Sequence, residues 1–194
     1  MPSINPSPAR NADLLSLGNR PLAVKAAAVV AGSLFLALAS QIEVPIGPVP
    51  MTIQTLALTL VGALYGWRLG ALTVIAWLGE AMIGLPVLSG GSGGAVHFVG
   101  PTAGYLWSFP VMVAMVGWLA ERGWSGANFV RSFAAALLGN ALALVAGWAY
   151  LATIIGAEAA LAAGVTPFIL GAILKSGLHA ALLKGVDTIR APRS

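Results

Sequence analysis

The chain has 194 residues, of which 10 are Lys or Arg, 6 are Asp or Glu and none is Cys. Only 8% of it is charged and 58% is apolar, against about 25% charged in an ordinary soluble domain. This excludes a soluble enzyme and a disordered tail, which both need a charged exterior, and it excludes a disulfide-stapled secreted module or a cysteine-based metal or redox site.

The net charge of +4 is too thinly spread to form a nucleic-acid-binding stripe. The composition is that of an integral membrane protein, and the informative residues are its few charges. A bilayer core about 30 Å thick takes about 20 mostly apolar helical residues. Residues 1–20, rich in Pro, Ser and Asn, are expected to be a mobile cytoplasmic tail. Six apolar stretches follow, at residues 21–41, 51–66, 68–88, 101–120, 131–156 and 166–185, and the second is short. They are separated by a Pro/Gly cluster (Pro45-Ile46-Gly47-Pro48-Val49-Pro50), a Gly run (Gly90-Gly91-Ser92-Gly93-Gly94) and charges (Glu121-Arg122). The stretches are continuously apolar rather than alternating, which argues against a barrel. The expectation is an all-α bundle of six transmembrane helices at residues 21–188, with a C-terminal tail at 189–194. The Ala37-Leu38-Ala39 end of the first stretch resembles a signal-peptidase site. The chain preceding that stretch is longer than a usual charged n-region, so the stretch is read as a retained helix.

The basic residues fix the orientation. With six helices, Arg10, Arg20, Lys25, Arg68, Arg122, Arg131, Lys184, Arg190 and Arg193 all fall at one side of the membrane. The connections on the other side carry no Lys or Arg, and Lys175 is left inside a span. Cytoplasmic ends collect Lys and Arg, so both termini are expected in the cytoplasm.

Polar residues inside spans are costly and are functional candidates by default. Lys175 lies nine residues into the sixth stretch, about 13 Å deep at 1.5 Å per residue. Glu80 lies six residues before Pro86, about 9 Å below the same outer end. Thr52, Gln54 and Thr55 open the second stretch at that end, Tyr105 opens the fourth, and Ser89, Gly90 and Gly91 begin the Gly-rich connection. These groups converge on the outer half of the bundle. Each also has a plainer reading: Lys175 and Glu80 as a structural ion pair, Thr52 and Thr55 as helix caps, and the Gly run as a simple connector. Asn140 suits an interhelical hydrogen bond and His179 suits packing. No second His or Cys stands near His179 at ligand spacing, so no metal is expected. Trp107, Trp148 and Tyr150 fit an interfacial belt. Trp77, one turn from Glu80, fits either ring stacking or the core. Ala23, Ala27 and Ala31 form a small-residue stripe that allows close approach of another helix, within the chain or from a separate membrane subunit. Gly171-Ala172-Ile173-Leu174-Lys175-Ser176 is not a P-loop, because Leu174 replaces the required Gly and the segment lies inside a membrane stretch. No nucleophile–His–acid set and no inverted repeat is visible, so no catalytic residue is assigned.

Three segments together resemble a known family. They are Val49-Pro50-Met51-Thr52-Ile53-Gln54-Thr55-Leu56, then Gly84-Leu85-Pro86-Val87 running through the Gly-rich connection into Gly100-Pro101-Thr102-Ala103-Gly104-Tyr105-Leu106, and Pro167-Phe168 with Gly171 and Lys175. They are similar to the biotin-specific substrate-binding (S) components of energy-coupling-factor transporters, the BioY family. The resemblance spans roughly residues 23–184. It implies six helices in the bacterial cytoplasmic membrane, with an outward-opening biotin pocket under the 1–2 and 3–4 connections. It implies biotin as ligand without a cofactor, and energy from a transmembrane T component and two ATPases. It also implies docking through the Ala23, Ala27 and Ala31 stripe. With the polar residues read above, the expected substrate-binding residues are Lys175, Glu80, Gln54, Thr52, Ser89, Gly90, Gly91, Tyr105 and Trp77. Many members carry an Asp directly after the Gly matched by Gly171, where this chain has Ala172. Glu80 is therefore expected to balance the charge of Lys175. The alternatives are an S component for another vitamin, a small membrane enzyme with Glu80 as general base, and a channel with Lys175 and Glu80 facing the pore.

Overall fold

Inside a bilayer no water satisfies the backbone, so an apolar chain closes its N–H and C=O groups within helices. The computed structural model, which describes residues 15, 17, 20–44, 48–126 and 128–190, follows that rule. Its helices are α1 (Leu22–Ser40), α2 (Gln54–Met82), α3 (Ala103–Glu121), α4 (Phe129–Ile155), α5 (Ala157–Gly164) and α6 (Phe168–Arg190). Two short antiparallel strands, β1 (Glu43–Val44) and β2 (Met51–Thr52), join α1 to α2, with Glu43 opposite Thr52. Among the described residues, 5 helices are long and apolar enough to cross a membrane. Most of residues 1–20, and residues 191–194, where the terminal tails are expected, lie outside the described residues.

α2 contains the expected second and third stretches, and it is not one rod. Gly66 has φ +75° and ψ 173°, a backbone conformation open to glycine but costly for residues with a Cβ. A Cβ built on Gly70 would stand 3.3 Å from Gly62 Cα, whereas eight residues along a straight helix are about 12 Å apart. The two arms, residues 54–65 and 67–82, therefore fold back on each other. Glu121 of α3 holds the corner: its Oε1 accepts the Trp67 backbone N–H at 3.1 Å.

Other boundaries move for local reasons. The second arm of α2 stops at Met82 rather than 88, because Gly84 and Pro86 end it, and residues 83–88 become part of a loop. Residues 157–164 form the short helix α5, which the apolar-stretch reading does not anticipate. It is Ala-rich with Glu158 in its first turn, where an acidic side chain suits the helix dipole. α6 runs on to Arg190, since the end of an apolar stretch marks the membrane boundary and not the end of a helix.

α3 runs through the centre. Met112, Val113 and Val116 on it are fully buried, as are Leu58, Val74 and Trp77 of α2 and Leu151 of α4. α6 packs against α4 and the first arm of α2. α1 buries Gly32, Ser33, Leu36, Ala39 and Ser40 against α2, while Ala23, Ala27 and Ala31 face out of the bundle. The outer surface carries Leu34, Leu38, Val145, Leu170 and Leu174, an apolar coat suited to lipid and larger than a soluble monomer exposes.

Candidate functional site

At one end of the bundle the first arm of α2, α3, α4 and α6 diverge around a cavity of about 380 Å³. Two connections cover it, with residues 41–44 and 48–53 described in the first and residues 83–102 in the second. The deep part of its lining is polar. Lys175 reaches up from α6 and donates from Nζ to the Thr52 backbone carbonyl at 2.9 Å, where the β1–β2 pairing fixes the strand. Asn140 of α4 donates to Ser176 Oγ of α6 at 3.2 Å and to Ala136 O at 3.0 Å. Gln54 and Thr55 face the same space, and Thr55 Oγ1 is buried with no hydrogen-bond partner among the described residues. Such a group normally has a partner.

The walls are apolar: Leu106 and Phe109 of α3, Ala143 and Leu144 of α4, and Phe168 and Ala172 of α6. Tyr105 completes them. Its hydroxyl donates to Gly164 O at 2.6 Å, and its ring lies where a Cβ on Gly147 would be. Glycine at 147 is thus what admits the ring between α3 and α4.

The cover is tied down at several points. Ser89 donates to the Glu43 carboxylate, linking the two connections across the mouth. Gln41 Nε2 donates to Leu88 O at 3.2 Å, and Trp77 Nε1 to Val87 O at 3.1 Å. The Gly94 N–H donates to Ala81 O at 2.7 Å. Glu43, Ser89, Ser92, His97 and Thr102 line this end of the cavity.

Of the residues singled out from sequence, Lys175, Gln54, Thr52, Ser89 and Tyr105 line the cavity together. Gly90 and Gly91 lie in the covering loop against Glu43 and Gln41 rather than in the lining. Trp77 is buried beneath that loop and packs 6.4 Å from Phe109, centroid to centroid. Glu80 does not join Lys175. Both its carboxylate oxygens lie 2.7 Å from Ser33 Oγ of α1, because α1 packs on that side of the second arm and supplies the hydroxyl. The expected balance of Lys175 by Glu80 is therefore replaced by two separate attachments, Lys175 to a carbonyl and Glu80 to Ser33. Among the described residues no group of three His, Asp or Glu side chains is placed to hold a metal ion.

Glu43, His97, Phe109 and Leu144 were not singled out from the sequence, and Phe168 stood out there only as part of the Pro167-Phe168 pair. Glu43 had a signal, being an acidic residue next to the Pro/Gly cluster in a connection without basic residues. Phe109 and Leu144 had none, since a cavity-facing apolar side chain and a lipid-facing one look alike in sequence.

The chain is similar to several known proteins. A profile described as "BioY family" matches residues 11–191. "Probable biotin transporter BioY" of Pyrococcus horikoshii is 37% identical over 156 residues, 79% of this chain and 91% of that protein. "Biotin transporter BioY" of Rhizobium etli is 42% identical over 148 residues, 72% of this chain and 78% of that protein. A crystal structure of the S-component for biotin from an ECF-type ABC transporter superposes with a TM-score of 0.76 at 26% identity, covering 87% of this chain and 95% of that chain.

Proposed function

Because the chain belongs to the BioY family, we propose that it is the biotin-binding S component of an energy-coupling-factor transporter. It is a multi-pass membrane protein and a transport subunit, not an enzyme. The observation that carries this reading is the cavity: polar at depth, apolar along its walls and polar again at its covered mouth. Its volume falls in the range of small-ligand sites.

Biotin has the same pattern. Its ureido edge presents one acceptor and two donors, its fused rings are largely apolar, and its chain ends in a carboxylate. The deep groups are mixed donors and acceptors, namely the Lys175 ammonium, the amides of Gln54 and Asn140 and the hydroxyl of Thr55, with the Thr52 hydroxyl beside them at the edge of the cover. That mixture matches the ureido group, with Lys175 donating a charge-assisted bond to its oxygen. The rings lie between Tyr105, Phe109, Leu144 and Phe168. The carboxylate stays at the mouth near Ser89, Ser92 and His97, where an ionised group loses less hydration than at depth. Trp77, Gly90 and Gly91 shape the cover, and Glu80 fixes α1 to α2.

The break at Gly66 supports reading α2 as two passes, and the proposed topology is six transmembrane segments with both termini in the cytoplasm. Every basic residue except Lys175 then lies on the cytoplasmic side, as the distribution of positive charge requires. The protein belongs in the bacterial cytoplasmic membrane, with the cavity facing outward. The outward-facing Ala23, Ala27 and Ala31 of α1 form the surface that receives a T component, and that component with two ATPases supplies the energy. The test is uptake of labelled biotin by cells lacking their own biotin transport. The chain alone should confer saturable surface binding, and co-expression with T and ATPase subunits should add accumulation. Selective binding of a different vitamin would refute the assignment.

A further inference from the structure

At the end of the bundle opposite the cavity, charge and aromatic rings gather again. Trp67 and Arg68 begin the second arm of α2, Trp118 lies in the last turn of α3, and Arg122 follows directly as its C-cap. The Arg122 guanidinium lies 3.6 Å from the Trp118 ring centroid, and that of Arg68 lies 5.0 Å from the Trp67 ring centroid. The two stacks are neighbours. The Trp67 N–H is held by Glu121, and a Cβ on Gly117 would meet Trp67 N at 2.6 Å. All four side chains are exposed, Trp67 at 39% and Trp118 at 44%.

A guanidinium lying on an indole keeps its outer N–H groups available; Arg122 Nη1 donates to Trp118 O at 3.5 Å, and the N–H groups left match a phosphate. Indoles favour the headgroup level of a membrane. The apolar surface leading away from the corner is equally specific. Leu72 and Ile75 follow Arg68 at helical spacing on α2, and Val111 precedes Trp118 by two turns on α3; all three are exposed. Each stack thus stands at the end of an open apolar stripe, where acyl chains would lie below a headgroup. Two guanidinium groups against one carboxylate, itself engaged by backbone, leave the corner positive.

We propose that this corner binds the phosphate headgroup of an anionic glycerophospholipid in the leaflet away from the cavity mouth. The test uses full-length protein reconstituted in nanodiscs of equal phosphatidylglycerol and phosphatidylcholine, with the lipid retained on release counted by native mass spectrometry. Phosphatidylglycerol should be enriched on the unmodified protein. Each guanidinium near an anionic surface is worth about fivefold in partition, so R68Q/R122Q should lower the enrichment about 25-fold. W67L/W118L, with all charges intact, should lower it as well, and R68K/R122K should fall between these variants and the unmodified protein. R131Q/K184Q, which removes equal charge from α4 and α6, should change it far less. Biotin binding, measured in parallel, should be unaltered in every variant and so confirm folding. Equal losses from R68Q/R122Q and R131Q/K184Q would show only diffuse surface attraction and overturn the proposal. So would the absence of enrichment on the unmodified protein. A loss in R68Q/R122Q confined to association with T and ATPase subunits would assign the corner to a protein partner instead.

Discussion

Replacing Lys175 by Met keeps the length and apolar stem of the side chain and removes its charge and donors. Lys175 is half-buried, and its ammonium is already directed into the cavity by the 2.9 Å bond to Thr52 O. A hydrogen bond to a charged group contributes about 1.5–3 kcal/mol. At about 1.4 kcal/mol per decade, Lys175→Met should weaken biotin binding about 10- to 100-fold. The assay is isothermal titration of detergent-purified protein with biotin. Glu80→Gln gives the contrast. Glu80 contacts Ser33 and not the cavity, so its amide should change biotin affinity by less than about twofold, a shift below 0.5 kcal/mol on the same scale. The double variant should equal the sum of the single effects within about 0.5 kcal/mol, as for independent sites. Unchanged binding by Lys175→Met would refute the role of Lys175, and strong coupling between the two positions would refute their separation.

Ser89→Ala removes the tie from Ser89 to Glu43 across the mouth. Stopped-flow should show faster biotin release with little change in association, because affinity changes of this kind lie mostly in dissociation. Gly147→Ala places a methyl group inside the Tyr105 ring position. Overpacking of this kind costs about 1–3 kcal/mol, so the unfolding midpoint and biotin affinity should fall together. Gly66→Ala forces a Cβ into a positive-φ corner 2.5 Å from Glu121 Oε1 and should lower thermal stability by more than about 1 kcal/mol. Gly79→Ala, with nothing within 4 Å of the added Cβ, should be neutral or stabilising in the same melt. Biotin amidated at its carboxylate should retain more affinity than an analogue with a methylated ureido nitrogen; the reverse order in competition binding would place the carboxylate at depth.

What the sequence made legible follows from the physics each residue answers to. The break between the second and third stretches was readable because the hairpin falls at Gly66 beside Trp67 and Arg68, where an apolar run gives way to a charge. The outer connections were readable from Pro and Gly, and Lys175, Gln54, Thr52, Ser89 and Tyr105 were readable as polar residues in apolar or Gly-rich surroundings. α5 was not, because eight small, mostly apolar residues carry no period long enough to separate a short helix from a loop. Glu80 shows the limit more sharply. Depth along a helix was estimated well enough to place it near the outer end, but its direction depends on which neighbour packs beside it, and Ser33 of α1 is 47 positions away in sequence. Phe109 and Leu144 became cavity walls only because the helices diverge there, which no one-dimensional pattern records.

The cavity floored by Lys175 and Asn140 is proposed as a selective biotin site. Equilibrium titration of the purified, full-length protein with labelled biotin, in the presence of excess riboflavin or thiamine, tests it most directly. Binding of one biotin per chain should be saturable and sub-micromolar, displaced by unlabelled biotin and indifferent to the other vitamins. Binding that is absent, unsaturable or displaced equally by either vitamin would contradict it.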